Sequence, residues 1–554
     1  ETIRAVQGSV YELNDLYRRI IMITGTKPDP YRDYFIGQQI PDMKEILARN
    51  GDLLRKLAID LEQISGKKGS EVALLERFAI QLHDLASDPE SIATRLESYK
   101  SNISALSAWS LRVKDQPLEL DYFIVQSPDL PAPKVRENWW EGIWRTLNQF
   151  VASFVVDFNT IGSIDEKARS QIKVWVGTGR DQAAILKQLI DNSFTPKTGI
   201  AVDLQLVQGS LIEATLAGKG PDVALMVEGA QPVNFAIRGA LVDLSQFSDF
   251  RQVADRFHPS ALVPFKFREG NYALPEMQTF DMMFYRTDVF AELGLKPPAT
   301  WDEFYRVIPV LQRKHMQIGF SQDMFATFLF QRGGTYYNEK LTQTGFDTPE
   351  AAEAFAALTD LYTRYSFPLT YDFYSRFRTG EMPLAFQPFT QYNLLAVAAP
   401  EIAGLWEMVP IPGYVRADGT VDRSQSSAVA GCVMFEKTRD KQAAWEFMKW
   451  WTSADIQAQY GIALELRMGP AARYATANRE AFERLPWNAR ERSHIRDQWE
   501  FVKGIPEAPG SYFTAVGLQN AFRTATIQYE NPYQALNVWN RYINEELRRK
   551  NIEF

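Results

Sequence analysis

The chain is 554 residues long, 45% hydrophobic and 23% charged, the composition of an ordinary globular protein, which excludes a disordered chain, a collagen and a disulfide-dense miniprotein. Its length predicts three or four domains at about 150 residues each. The 60 Lys and Arg against 68 Asp and Glu leave a net charge of −8, so the electrostatic footprint of a nucleic-acid binder is missing.

No apolar run reaches the ~18 residues of a membrane span. The single cysteine, Cys432, excludes an internal disulfide and a multi-cysteine metal site. It lies in an apolar run and reads as a buried, inert thiol. His83, His258, His315 and His494 are scattered without a metal-ligand spacing, so no metal and no cofactor is expected. The chain starts at Glu1 with no charged or apolar leader pattern and reads as a mature or trimmed product.

In chain order, Val6, Val10, Leu13, Tyr17 and Ile20 recur at helical spacing, and Gly25 with Pro28 and Pro30 ends that helix. A second helix follows Pro41 with Ile46, Leu53, Leu57, Leu61 and Ile64, stopped by Gly66. A third carries Val72, Leu75, Phe78, Leu82 and Leu85. Asp88 and Pro89 open a fourth, whose Ile92, Leu96, Tyr99, Ile103 and Leu106 form a bundle seam. Beyond it the pattern predicts a strand over 118–125, a proline-rich linker over 127–133 and an aromatic helix over 135–158. Residues 1–165 thus read as an all-α unit, a spacer or interaction module.

Near residue 170 the pattern changes. Ile172–Val176, Gly199–Leu204 and Val223–Met226 read as strands separated by helices at 184–194 and 211–216. A β-α-β-α-β order predicts a parallel sheet, with ligand loops beyond the carboxyl ends of its strands. The loop Gly177-Thr178-Gly179-Arg180-Asp181 lacks the third glycine of a dinucleotide fingerprint. Thr300, with Glu303 three residues on, makes a capping box for a helix entered at Trp301.

Several stretches from about 170 to the end resemble the extracellular solute-binding proteins of carbohydrate ABC importers. They are FTPKTGIAV at 194–202, AGKGPDV at 217–223, RGALVDL at 238–244, YALPEMQTFDMMFYRTD at 272–288, AELGLKPPATWDEF at 291–304 and QAAWEFMKWWT at 442–452. Their order over roughly 380 residues carries the resemblance more than any one motif. It implies an α/β, two-lobed periplasmic-binding-protein-like fold (type II) behind the N-terminal all-α bundle. Lobe 1 then takes about 170–280 plus 431–475, and lobe 2 about 285–428 plus 480–554. It also implies capture of a carbohydrate, an oligosaccharide, by hinge closure, with delivery to ABC permease subunits. Location outside the membrane follows, at the cell surface or in a periplasm. A lipid anchor would lie outside this chain.

The same resemblance, carried over motif by motif, nominates ligand contacts. Arg180 and Asp181 follow the first strand, and Glu228 and Gln231 follow the PDV strand. Glu276, Thr279 and Asp281 flank the first crossover. Gln322 and Asp323 occupy the site loop of lobe 2, Phe389 and Tyr392 an aromatic-platform segment, and Ser426 and Ser427 the approach to a crossing strand; Arg467 precedes Gly469-Pro470. Such a set suits sugars, whose hydroxyls pair with carboxylates, amides and Arg and whose C–H faces pack on rings. Thr279 or Phe280 stands where maltose-type binders place a Glu, and Thr390 where an aromatic often stands, so maltose itself is not implied. A carbohydrate-active enzyme would need a carboxylate pair at defined separation, and no catalytic motif surrounds any acid here. A binding lobe that signals to a receptor is the other alternative.

Overall fold

The computed structural model describes residues 2–114, 144, 161, 169–207, 209 and 211–553. The strand, linker and aromatic helix expected between 118 and 158 lie outside the described residues, apart from Trp144.

Four long helices, Thr2–Thr24, Met43–Ser65, Ser70–Ser87 and Ile92–Lys114, form the N-terminal bundle. Every seam residue expected in the first, third and fourth is buried in one cluster. The second helix differs. Its packed face is Met43, Leu47, Leu54, Leu57 and Ala58, whereas Ile64 is 82% exposed. Gly51 belongs to that packed face, where a Cβ would stand 2.9 Å from His83 Nε2. Of the expected stripe, Leu57 is buried and Ile46, Leu53 and Leu61 pack half-buried against the same cluster; the 51/83 pair marks a close approach of the second and third helices. A 3-10 turn, Pro89–Ser91, opens the fourth helix.

Lobe 1 is built on a five-stranded sheet. Ser170–Val176 lies between Ile200–Leu206 and Val223–Glu228, all parallel, as the β-α-β-α-β order requires. Ala428–Met434 returns antiparallel beside Val223–Glu228 and pairs on its other side with Leu274–Thr279. Apolar residues from both faces of these strands, with Phe194, Trp445, Phe447 and Trp451, make its core.

Lobe 2 is built on a four-stranded sheet in which Asp281–Arg286 pairs antiparallel with both Trp406–Val409 and Leu384–Pro388, and Ile318–Gly319 lies parallel beside Leu384–Pro388. Trp301, 1% exposed, centres its core against Phe304, Phe320, Phe328 and Phe386. The capping box forms: the Thr300 hydroxyl accepts from the Glu303 N–H at 3.3 Å and the Glu303 carboxylate accepts from Thr300 N. Pro297 and Pro298 precede it. The last two helices, Ser511–Thr526 and Pro532–Glu553, pack on this lobe through Ala521, Phe522, Leu536, Ile543 and Leu547.

The chain passes between the lobes side by side. Strand Leu274–Thr279 of lobe 1 runs through Phe280 directly into Asp281–Arg286 of lobe 2. Residues 425–428 return beside it, and Ala475–Ala477 run against 276–278 through Gln278 N to Ala475 O (3.2 Å) and Ala477 N to Glu276 O (2.9 Å). Two buried amides bind these passages. Gln425 donates to Asp281 O at 2.8 Å and accepts from Asp281 N at 3.1 Å. Gln278 donates to Ser427 and Ser260 and accepts from Trp499 Nε1 at 2.8 Å. Adjacent extended segments tied at one level are the construction of a hinge.

The bundle rests on lobe 2. The Tyr17 hydroxyl and the Lys100 ammonium both reach the Glu381 carboxylate, and Arg18 pairs with Glu292. Gly380, at φ +79°, lies under the Arg18 side chain, where a Cβ would stand 2.7 Å from Arg18 Cδ.

Candidate functional site

The hinge strands floor a cleft of about 920 Å³. Thr279, Phe280 and Asp281 come from the first passage and Ser426, Ser427 and Ala428 from the return. Lobe 2 supplies one wall: Ser321, Gln322 and Asp323, the loop Leu369–Tyr374, and Phe386, Gln387, Pro388, Gln391 and Leu394. A cavity of this size is within the range of small-molecule sites, about 300–1,000 Å³. Hydroxyls, amides and carboxylates alternate with Tyr371, Phe373 and Tyr374, so the wall offers both hydrogen-bond partners and ring faces.

Local structure fixes these groups. Ser321 caps a 3-10 turn, its hydroxyl accepting from Asp323 N at 3.1 Å, and this turns Gln322 and Asp323 to the cleft. Asp372 caps the helix Phe373–Thr379 by accepting from Ser375 N at 2.6 Å. Tyr371 accepts from Gln387 Nε2 at 3.0 Å, and burial pushes its phenol up to about 12. Burial, reinforced by the charge of Asp323, raises Asp281 to about 6. Among the described residues no group of three or more His, Cys, Asp or Glu is arranged to hold a metal ion.

A second cavity of about 310 Å³ lies in lobe 1, lined by Val176, Thr178, Met226, Glu276, Trp451 and Tyr474 among others. Glu276 is fully buried there, accepting from Met226 N at 2.6 Å and from the Trp451 indole. Burial outweighs those two donors and raises its carboxyl to about 7.

Of the residues nominated from sequence, Thr279, Asp281, Gln322, Asp323, Ser426 and Ser427 meet in the cleft. Glu276, three residues before Thr279, lines the lobe 1 cavity instead, because strand alternation turns its side chain to the opposite face. Arg180, Asp181 and Arg467 gather elsewhere on lobe 1, exposed, with Arg467 3.4 Å from Asp181. Glu228 and Gln231 are exposed at the end of the third strand. The aromatic platform is not formed by the two rings nominated for it. Phe389 is 3% exposed and packs on Phe280 and Trp487. Tyr392 packs on Trp406 and Trp487. Phe389 belongs to the core beneath the wall, and Tyr392, half-buried on the helix Gln391–Ala398, packs against that core; neither lines the cleft.

The loop 369–374 and Gln387 were missed. In LTYDFY, Tyr371 precedes the Asp372 cap and Tyr374 lies in the first turn of the helix it caps, a pattern that reads as an ordinary helix start. Gln387 is the single uncharged polar side chain in the strand Leu384–Pro388.

The family profile described as bacterial extracellular solute-binding protein matches residues 177–458. A second, described as bacterial solute-binding protein, 4-helix bundle domain, matches residues 1–109. The chain is 25% identical over 257 residues to a maltotriose-binding protein of Pyrococcus abyssi, covering 45% of this chain and 54%, about half, of that protein. A putative binding protein of Brucella abortus is 24% identical over 285 residues, covering 47% of this chain and 67% of that one. Among solved structures, the sugar-binding protein MalE of Xanthomonas citri superposes with a TM-score of 0.58 at 18% identity, over 69% of this chain and 99% of that one. A solute-binding protein of Thermotoga lettingae bound with α-D-tagatose gives 0.54 at 21% identity, over 68% and 100%. At these identities the structures speak for the two-lobed fold.

Proposed function

The chain belongs to the bacterial extracellular solute-binding proteins, and on that premise we propose that it captures a carbohydrate, an oligosaccharide, in the cleft between its lobes and delivers it to the permease of an ABC importer. The observation that carries this reading is the cleft itself. Its floor is made of the interlobe strands, so a ligand touching Thr279, Asp281 and Ser427 touches the elements that must bend for closure. A relative named as maltotriose-binding, a neighbour named as sugar-binding and another bound with tagatose support a sugar as cargo.

No covalent step belongs to this reading. The work is differential affinity: the ligand shifts an open–closed equilibrium by as much as it prefers the closed form. The protein acts outside the membrane, at the cell surface or in a periplasm. The bundle serves as spacer or docking module, held to lobe 2.

Thermal unfolding across a panel of mono- and oligosaccharides tests the assignment. A ligand that binds only the folded state stabilises it by about 2.7 kcal/mol at one hundred times its Kd. A raised Tm with one glycan class supports the reading. A raised Tm with peptides, amino acids or polyols and with no sugar overturns the carbohydrate assignment and leaves the fold.

A further inference from the structure

The charges lining the cleft are of one sign. Asp281, Asp323 and Asp372 line it, and no Lys, Arg or His does. Asp372 is engaged in capping, and Asp323 accepts from the Ser321 hydroxyl at 3.3 Å. Asp281 is different. Gln425 pins its backbone on both sides, while among the described residues no donor reaches its carboxylate. A carboxylate carried on a pinned backbone and left without a partner is a group available to a ligand.

We propose that the cleft selects a sugar bearing a protonated amine, an amino sugar, whose ammonium is held by the Asp281 and Asp323 carboxylates. This deepens, and rests on, the carbohydrate reading above. A neutral hydroxyl can donate to either carboxylate, but closure around a neutral sugar removes water from two neighbouring like charges and leaves them uncompensated. An ammonium supplies three donors and cancels the charge. A metal ion would do the same, but no metal-holding group of residues exists among those described. The titratable groups shown to act on or with Asp281 are Asp323 and Tyr371, and the other polar groups lining the same cleft include Asp372, Tyr374, Gln387 and Ser427. All are acidic or neutral, so none competes with the ligand as a cation. Bound amine favours the Asp281 carboxylate, so affinity rises with pH through its midpoint of about 6.

The test is calorimetric titration of the full chain with short glucosamine oligomers, their N-acetylated counterparts, maltodextrins of equal length, and spermidine as an amine without a sugar. Each is run a unit below and a unit above the Asp281 midpoint. Glucosamine oligomers are expected to bind at least about tenfold tighter than either neutral series above the midpoint. That advantage is lost below it, and in Asp281→Asn and Asp323→Asn. Asp323 is on an exposed turn, so its variant reports even where the first fails to fold. Neutral sugars binding as well as the amines would overturn the inference and leave the carbohydrate reading standing. Binding of spermidine alone, or of nothing in the series, would overturn the amino-sugar inference, while the carbohydrate reading stands or falls on the wider sugar panel above.

Discussion

The Tyr17 hydroxyl donates a 2.7 Å hydrogen bond to the Glu381 carboxylate, joining the first bundle helix to lobe 2 across 364 residues of sequence. Glu381 is 3% exposed, and Lys100 from the fourth helix closes on the same carboxylate. Every described hydrogen bond or ion pair between bundle and lobes goes to lobe 2, the Arg18–Glu292 pair included. The bundle therefore travels with lobe 2 when the hinge bends.

Removing Glu381 leaves Tyr17 and Lys100 without their partner. Glu381→Ala is expected to lower stability by about 1–3 kcal/mol, and Glu381→Gln by less because an acceptor for Tyr17 remains. Gly380→Ala is expected to act in the same direction through the Arg18 contact and the +79° backbone. Urea unfolding together with limited proteolysis between bundle and lobes reads both effects. Unchanged stability and cleavage in all three would contradict this docking.

Trp301→Ala empties the centre of lobe 2 and should cost about 3–5 kcal/mol, in the range for buried aromatic truncations. Thr300→Ala removes one half of the capping box and should cost about 1 kcal/mol. Thr300→Ser keeps the hydroxyl and should be near neutral. Chemical denaturation of the three variants checks the ranking; a cap variant as damaging as Trp301→Ala would refute it.

The pH dependence has a definite sign. Glu276 titrates at about 7 in the fold against an ordinary value of 4.5, so between these values the folded state holds the extra proton. Stability from this group is present at low pH and is lost as pH rises through 7. Asp281 acts in the same sense between 3.8 and about 6. Glu276→Gln should remove a contribution on the order of 3 kcal/mol to that decline. Unfolding free energy measured across this pH interval, wild type against Glu276→Gln, decides it: parallel curves would count against a raised carboxyl.

Cys432 is fully buried, its thiol 3.6 Å from Leu274 O, and burial pushes its pKa well up. The folded protein should be inert to a thiol reagent, with reaction appearing at the rate of unfolding. Rapid labelling without denaturant would contradict the burial.

Much of the architecture was legible because it rests on local chemistry. The parallel strands at 170, 200 and 223 announce themselves by β-rich runs between helix patterns, and Thr300 with Glu303 by their spacing. Three of the four bundle seams follow from periodicity alone. In the second, Leu57 sits in the core and Ile46, Leu53 and Leu61 at its edge, while Ile64 is exposed at the helix end and Gly51, which an apolar count does not see, lies on the packed face. In the site, the hinge residues Thr279, Asp281 and Ser427 were readable because motif and strand direction place them together. Phe389 and Tyr392 were not, since only tertiary packing against Trp406 and Trp487 decides that those rings lie off the cleft. The loop 369–374 reaches the cleft through a tertiary fold-back that spacing does not encode.

The central claim is that a sugar in the cleft closes the hinge. Because Cys432 is the single cysteine and is buried, one cysteine on exposed lobe 1 (Arg180→Cys) and one on lobe 2 away from the cleft (Glu350→Cys, exposed at the start of the helix Pro349–Thr363) can carry a specific label pair. The distance between them, followed by spin–spin or fluorescence transfer methods, is expected to shorten when a binding oligosaccharide is added, in parallel with its affinity, and to shorten less in Asp281→Asn. A distance that stays fixed under saturating sugar would contradict the account.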